Sequence, residues 1–361
     1  MLIILLLLLA AVQAIAGQDT WTGVSRVVAV GDIHGDFKAL TDILRSAGII
    51  DSKGRWTGGT THLVQTGDIL DRGSESRKVM DLLMSLEKDA AKAGGKVHPL
   101  LGNHEAMNVY GDLRYVSPGD YNSFRTADSA DLRDRVWKQY VESIGSDPGA
   151  DTKKKWMDEH PLGWVEQRMA FAPDGNYGKW LRANNAIIKI NDTLFVHGGI
   201  SPRVFPNTLA DINQEIASEL KDFTKLGPES LVMADDGPLW YRALAQGSEA
   251  ELADHVSKLL QTYEAKRIVI AHTPTPGAVI TRFDGKVVMI DVGLSAYYGS
   301  RRACLVMEGE KLYAIHRGDK VPLPADSAMA YLQYLRQVEK LEPDPGLLAD
   351  YIREFRASHH D

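Results

Sequence analysis

Short runs of β-branched and aliphatic residues, each closed by Gly, Asp or Pro, recur along the chain. They are Val27–Val30, His62–Gln65, Val97–Leu101, Ala186–Ile190, Leu194–Val196, Arg267–Ala271, Val287–Ile290 and Ala303–Met307. Runs this short and this apolar predict strands of a sheet covered on both faces. Between the early ones the period changes. Phe37, Leu40, Ile43 and Leu44 recur at three- and four-residue spacing, as do Val79, Leu82, Leu83 and Leu86. That spacing predicts helices over Phe37–Ala47 and Ser76–Ala93. Strand–helix alternation over residues 27–101 predicts βαβ units and an α/β fold.

The alternation stops near Ala106. Residues 106–182 are rich in Trp, Tyr, Arg and Asp, with a helical run over Leu132–Ile144 among Gly/Pro loops. This stretch reads as a helical insertion that caps the core and shapes substrate access, with Trp164 and Trp180 as candidates to line the opening. Further helices are predicted over Asn207–Lys225, Ser248–Ala265, Ala328–Leu341 and Pro345–Ala357. The organisation expected is a catalytic domain over 17–325 and a helical C-terminal extension over 326–361.

Composition alters this picture mainly at the N-terminus. With 44% hydrophobic and 25% charged residues in 361, the chain has ordinary globular composition. Lys+Arg of 41 against Asp+Glu of 48 leaves a net charge of −7, with no dense basic block, which argues against a nucleic-acid partner. The apolar run over residues 2–16 is shorter than the roughly 20 residues that span a bilayer. It ends in Ala14-Ile15-Ala16, a small-x-small pattern, and polar residues follow. A signal peptide over 1–16, cleaved after Ala16, is therefore expected, giving a secreted or periplasmic protein without stable membrane insertion. No Lys or Arg precedes the run, so an uncleaved anchor is the other reading. Cys304 is the only cysteine, which excludes an intrachain disulfide, and its apolar setting predicts a core position.

Candidate chemistry lies where the predicted strands end. Val27–Val30 runs into Gly31-Asp32-Ile33-His34-Gly35, and His62–Gln65 into Gly67-Asp68-Ile69-Leu70-Asp71-Arg72-Gly73. Val97–Leu101 runs into Gly102-Asn103-His104-Glu105, Leu194–Val196 into His197-Gly198-Gly199, and Arg267–Ala271 into His272-Thr273-Pro274. Sites of open α/β sheets gather beyond the carboxyl ends of strands, so these segments bring their polar side chains to one edge. Mixed carboxylate and imidazole donors suit Mn, Fe or Zn, whereas Ca or Mg prefers oxygen alone. Asp32, His34, Asp68, Asn103, His197 and His272 exceed the needs of one catalytic ion. Two ions sharing Asp68 accommodate them, and such a pair, with a bridging hydroxide nucleophile, clamps the phosphoryl oxygens of an in-line displacement.

These motifs, in this order and with His197 and His272 following, resemble the signatures of the phosphoprotein phosphatases within the calcineurin-like metallophosphoesterases. The continuations Glu105-Ala106-Met107-Asn108-Val109-Tyr110-Gly111-Asp112 and Ile200-Ser201-Pro202 are most similar to the Shewanella-like protein phosphatases. The resemblance runs from Arg26 to Tyr298. It implies a four-layer metallophosphoesterase β-sandwich flanked by helices, with the insertion capping the active site. It implies one ion on Asp32, His34 and Asp68 and a second on Asp68, Asn103, His197 and His272. His104 is implied as the general acid, oriented by Asp71. Arg72 is implied to grip phosphate, beside Asn103 and a second arginine. Arg242, in Pro238-Leu239-Trp240-Tyr241-Arg242, is the candidate, with Arg182 and Arg301 also near strand edges.

The function implied is a metal-dependent phosphomonoesterase, monomeric, acting on phosphorylated protein or a small phosphoester, with Ser/Thr and Tyr esters both open. A nucleotide or dinucleoside polyphosphate hydrolase on the same ligands, and an inactive phosphate-binding protein, are the competing readings. Where the eukaryotic phosphatases carry Ser-Ala-Pro-Asn-Tyr, this chain reads Asp291-Val292-Gly293-Leu294-Ser295-Ala296-Tyr297-Tyr298, so their toxin sensitivity and substrate choice are not carried over.

Overall fold

The computed structural model describes residues 17–324 and 327–358, and the signal peptide expected over 1–16 lies outside them. The strands are β1 (Thr20–Trp21), β2 (Arg26–Val30), β3 (His62–Gln65), β4 (Lys96–Pro99), β5 (Ile187–Ile190), β6 (Thr193–Val196), β7 (Arg267–Ile270), β8 (Ile280–Arg282), β9 (Val287–Met289), β10 (Ala303–Glu308), β11 (Lys311–His316) and β12 (Asp319–Pro322). The helices are α1 (Phe37–Ser46), α2 (Ser76–Lys92), α3 (Asn103–Tyr110), α4 (Pro118–Ser123), α5 (Ser129–Ile144), α6 (Gly149–Glu159), α7 (Trp164–Phe171), α8 (Asn176–Arg182), α9 (Leu209–Lys221), α10 (Ala243–Gln246), α11 (Glu249–Thr262), α12 (Ala328–Leu341) and α13 (Gly346–Ser358). Among the described residues no helix is long and apolar enough to cross a membrane.

Two six-stranded sheets share one buried core, ordered β12-β11-β10-β2-β3-β4 and β1-β5-β6-β7-β9-β8. Helix α2 packs against β4 and α9 against β5, which completes the expected four layers. In the first sheet β2, β3 and β4 run parallel, while β10, β11 and β12 form an antiparallel meander. In the second, β6, β7 and β9 run parallel. The carboxyl ends of two parallel trios, one per sheet, bring the candidate site together.

All eight expected strands form. β1, β8, β11 and β12 were not anticipated, because two are only two or three residues long and Lys311–His316 mixes apolar with ionisable side chains. The expected Asn207–Lys225 helix ends earlier, at Lys221, and a short 3₁₀ turn over Phe223–Lys225 follows. Its start is set by Thr208 and Asp211, whose side chains bond each other's backbone N–H reciprocally. Cys304 is fully buried on β10, and burial pushes its thiol up to about 12, as befits an inert core residue.

The insertion folds as α4 to α8. Its buried Phe171, Tyr177 and Leu181 join the main core. Trp180 Nε1 donates to Glu87 on α2 at 2.7 Å, and Trp164 stands edge-on to His160, so neither lines the active-site opening. That expectation is corrected: the aromatic walls come from Tyr115, Trp240 and Tyr298.

The C-terminal helix α12 buries Tyr331, Tyr334, Leu335 and Val338, the i, i+3, i+4, i+7 stripe. Each is worth roughly 1.5–3 kcal/mol of apolar burial. Tyr334 Oη donates to the Val279 carbonyl at 2.9 Å and lies 3.1 Å from Nε2 of buried His316 on β11. Burial, and then neighbouring Arg317, press the His316 pKa down to about 3. The folded ring therefore binds fewer protons than the unfolded one between about pH 3 and 6.5, so stability falls as pH drops through that window. From pH 6.5 to 5 this amounts to about 2 kcal/mol. Thermal melts at pH 7 and pH 5 should show a smaller acid-induced drop in Tm for His316→Gln than for wild type. Equal drops would remove His316 as the source.

Candidate metal centre and active site

Five residues of the candidate site take left-handed backbone conformations: His34 (φ 46°), Asp68 (55°), Asp71 (71°), Arg72 (65°) and His272 (64°). Each costs of order 1 kcal/mol for a residue with a Cβ, so the surrounding contacts must hold them there. Glu105 supplies much of that hold. Its buried carboxylate accepts from the backbone N–H groups of Asp68, Ile69 and Leu70 at 2.7, 2.8 and 3.2 Å, and from Gly102 at 2.8 Å. It ties the turn after β3 to the first turn of α3. Gly67, after β3, and Gly102, after β4, sit against one another. A Cβ on Gly67 would lie 2.5 Å from Gly102 N and 2.9 Å from His197 Nδ1, so only glycine fits.

The donors converge in a way that suits a cation. His197 Nδ1 lies 2.9 Å from the Thr66 carbonyl, which only accepts, so Nε2 presents a lone pair. Around that nitrogen stand three further atoms able to accept: Asn103 Oδ1 at 3.0 Å, His272 Nδ1 at 3.1 Å and Asp68 Oδ2 at 3.3 Å. The Asn103 amide nitrogen turns away to Met107 Sδ. His34 repeats the pattern. Its Nδ1 meets the Leu70 carbonyl at 3.0 Å, and its Nε2 faces Asp68 Oδ2 at 3.7 Å and Asp32 Oδ2 at 3.9 Å. Lone pairs crowded together without intervening protons repel unless a cation sits among them.

Among the described residues, two buried groups have metal-binding geometry: His34, Asp68 and His104, and Asp68, His197 and His272. Asp68 belongs to both. The donor set thus fits the expected metals, with Asp68 in the shared position.

The electrostatics follow from burial and crowding. Burial raises Asp32 well above the carboxylate range, and Asp291 and Asp68 add to it. Burial pushes in the same direction on Asp68, but His197, His104 and His34 outweigh it and hold the group well below that range. Burial lowers His34 to about 4 and His272 to about 2. It raises Glu105 to about 7 and Asp291 to about 6. His104 goes the other way. Burial alone would neutralise the ring, but Asp68 and the Asp71 hydrogen bond outweigh it and raise its pKa.

His104 Nδ1 lies 2.6 Å from Asp71 Oδ2, while Nε2 faces the donor cluster 3.8 Å from Asp68 Oδ2. Both arginines expected at the phosphate line the same pocket, of about 290 Å³. The Arg72 guanidinium lies 3.9 Å from the Tyr115 ring centre and 5.0 Å from that of Tyr297. Arg242 Nη1 donates to the His272 carbonyl at 2.7 Å and to Thr273 Oγ1 at 3.0 Å. Arg182 instead donates to the carbonyls of Leu220, Phe171 and Gly178, and Arg301 to that of Tyr298, so neither serves the pocket.

Sequence reasoning left Asp291, Glu105 and Tyr115 without roles. Asp291 directly follows the apolar run Val287–Ile290, as His197 and His272 follow theirs, so that much of the signal was present. Tyr115 had none, because its position depends on how the insertion folds back.

The family model for calcineurin-like phosphoesterases matches residues 25–276. An uncharacterized protein of Schizosaccharomyces pombe is 34% identical over 310 residues, covering 82% of this chain and 82% of that protein. Shewanella-like protein phosphatase 2 of Arabidopsis thaliana is 31% identical over 292 residues, 75% of this chain and 71% of that one. The crystal structure of the cold-active protein-tyrosine phosphatase of a psychrophile, Shewanella sp., superposes with a TM-score of 0.65 at 32% identity. That match covers 84% of this chain and 82% of the other.

Proposed function

The chain belongs to the calcineurin-like phosphoesterases and is a hydrolase, and we propose that it is a dinuclear metal-dependent protein phosphatase preferring phosphotyrosine. One observation carries the reading. Two arginines, Arg72 and Arg242, flank the converged donors, and among the described residues no carboxylate pairs with either. Arg72 Nε is buried with no acceptor. A half-buried guanidinium whose buried Nε has no acceptor is prepared for an anion brought by the substrate.

Asp32, His34 and Asp68 would hold one ion, and Asp68, Asn103, His197 and His272 the other. Mn, Fe or Zn held there would supply positive charge for the phosphoryl oxygens and would make a bound water a stronger nucleophile. Arg72 and Arg242, which line one pocket with Asn103, would orient the phosphate there. Asp71 keeps His104 Nδ1 protonated and its ring fixed, and His104 Nε2 delivers a proton to the leaving oxygen.

The aromatic preference rests on the walls. Tyr115, Trp240 and Tyr298 line the pocket around the phosphate groups, and a phenyl ester offers them a ring to stack on. The protein-tyrosine phosphatase of similar structure supports the same choice. One or two aromatic contacts at about 1 kcal/mol each predict kcat/KM about tenfold higher on phosphotyrosine than on phosphoserine peptides of one sequence. Tyr115→Ala should narrow that ratio. Equal or reversed turnover would reject the preference, and faster release of phosphate from nucleotides would reject the protein substrate. Export with cleavage after Ala16 belongs to this proposal, checked by the N-terminal sequence of the mature protein.

A further inference from the structure

The His104–Asp71 pair does not end at Asp71. Asp71 uses Oδ2 for His104 and Oδ1 for the Asn108 side-chain amide, which donates to it at 2.9 Å and to the His104 carbonyl at 3.0 Å. Asn108 lies one helical turn after His104 on α3, so a single side chain braces both the acid's backbone and its carboxylate partner. Its remaining amide atom, Oδ1, accepts from Gln167 Nε2 at 3.1 Å. Gln167 stands on α7 of the insertion, 59 residues away. Next to it, Arg168 Nη1 donates to the Asn108 carbonyl at 2.6 Å.

Asn108 and Gln167 are each only 2% exposed. Gln167 Oε1 is buried and has no hydrogen-bond partner among the described residues. A buried amide with half its capacity unused is an expensive way to fill space, and an apolar side chain of the same volume would pack at less cost. What the amide provides is direction. A donor from Gln167 obliges Asn108 to present Oδ1 outward and its NH₂ to Asp71. The reverse orientation would set an amide oxygen against the Asp71 carboxylate.

We propose that Gln167, acting through Asn108, is a positioning residue for the His104–Asp71 acid, so that the insertion holds the proton donor in aim as well as shaping access. This rests on the reading of His104 as general acid. Asp71 occupies a left-handed backbone position (φ 71°), and with both its oxygens engaged the carboxylate cannot rotate out of the His104 plane. Without the Gln167 bond Asn108 loses the donor that holds its Oδ1 side, so its amide can shift away from Asp71, and the aim of His104 loosens while the metal ligands stay in place.

The test uses the full chain and two substrates that differ in their need for a proton. Phenyl phosphate expels a basic phenoxide that requires the acid, whereas para-nitrophenyl phosphate expels an anion that leaves unaided. Gln167→Leu should lower kcat on phenyl phosphate roughly tenfold, a fraction of the 10²–10⁴ ascribed to general acids, with KM and the para-nitrophenyl rate within about twofold of wild type. Equal losses on both substrates, or a loss confined to KM, would overturn the proposal.

His104→Asn serves as the control. If it shows no leaving-group dependence, the acid reading falls and the positioning role with it. If it does while Gln167→Leu does not, the positioning role alone falls. Should Gln167→Leu fail to fold, Gln167→Glu carries the comparison at unchanged size. Its introduced carboxyl donates to Asn108 only when protonated, so the phenyl phosphate rate alone should recover as pH falls, and a pH profile parallel to wild type counts against the proposal.

Discussion

Asp68→Asn is expected to cost at least about 10³-fold in kcat/KM, because it removes the one charge common to both donor groups. Several kcal/mol of transition-state stabilisation attributable to bound metal correspond to a loss of that size. The substitution preserves shape: an Asn oxygen can still accept from the His104 backbone N–H, which Asp68 Oδ1 meets at 3.0 Å. What disappears is the anionic Oδ2 facing His197, His34 and His104 at 3.3, 3.7 and 3.8 Å. Metal content per chain, measured on the purified protein, should fall together with activity.

The metal-free protein is expected to lose stability as well. His197, His104 and His34 hold Asp68 well below the usual carboxylate range despite its burial, so its ionised form is stabilised on folding, although Asp32, Glu105 and Asp291 beside it are each raised, in part, by its charge. Removing that charge should lower the metal-free Tm near neutral pH, and the rise in Tm on adding Mn should shrink. A variant with a full metal complement and native rate would sink the assignment of Asp68.

His104→Asn should lower kcat on phosphotyrosine and phenyl phosphate by 10²–10⁴, the range of a positioned general acid, with KM little altered. The para-nitrophenyl rate should fall far less. Burial of the ring is outweighed by Asp68 and the Asp71 hydrogen bond, so the proton-bearing form is favoured over that of a free imidazole. Because the acid is removed rather than left unprotonated, lowering the pH should not restore the lost rate. Metal content decides between two roles, since His104 also falls within the buried group of His34 and Asp68. Retained metal with leaving-group-dependent loss identifies an acid. Equal loss on all esters with loss of metal would make His104 a ligand instead.

Much of the site was legible along the chain because its parts are local. A strand buried on both faces, then Gly, then a donor, is a pattern within seven residues, and it marked Asp32, His34, Asp68, Asn103 and His104, whereas His197 and His272 follow their strands directly and were marked by that place and by the order of the motifs. The strands themselves were equally legible where they run through the middle of a sheet, as β2, β3, β7 and β10 do, since burial on both faces demands an unbroken apolar run. It failed for β11 and β12, which carry the sheet outward and expose charged residues such as Lys311, Asp319 and Lys320. Arg242 could be separated from Arg182 and Arg301 only in three dimensions, because all three lie near strand edges and differ in what they face.

The residue types that suit the proposed chemistry were therefore legible in the sequence alone: candidate metal donors at strand ends, a candidate acid beside them, and a candidate arginine for phosphate. The tertiary structure decided how those groups are aimed. It set Asp68 between two imidazole clusters from different sheets, placed the Tyr115 ring against Arg72, and carried Gln167 across 59 residues to Asn108 behind the acid. The physical reason is range. Backbone turns and strand burial are governed by neighbours along the chain, whereas the orientation of a buried carboxylate or amide is set by whichever distant segment packs against it.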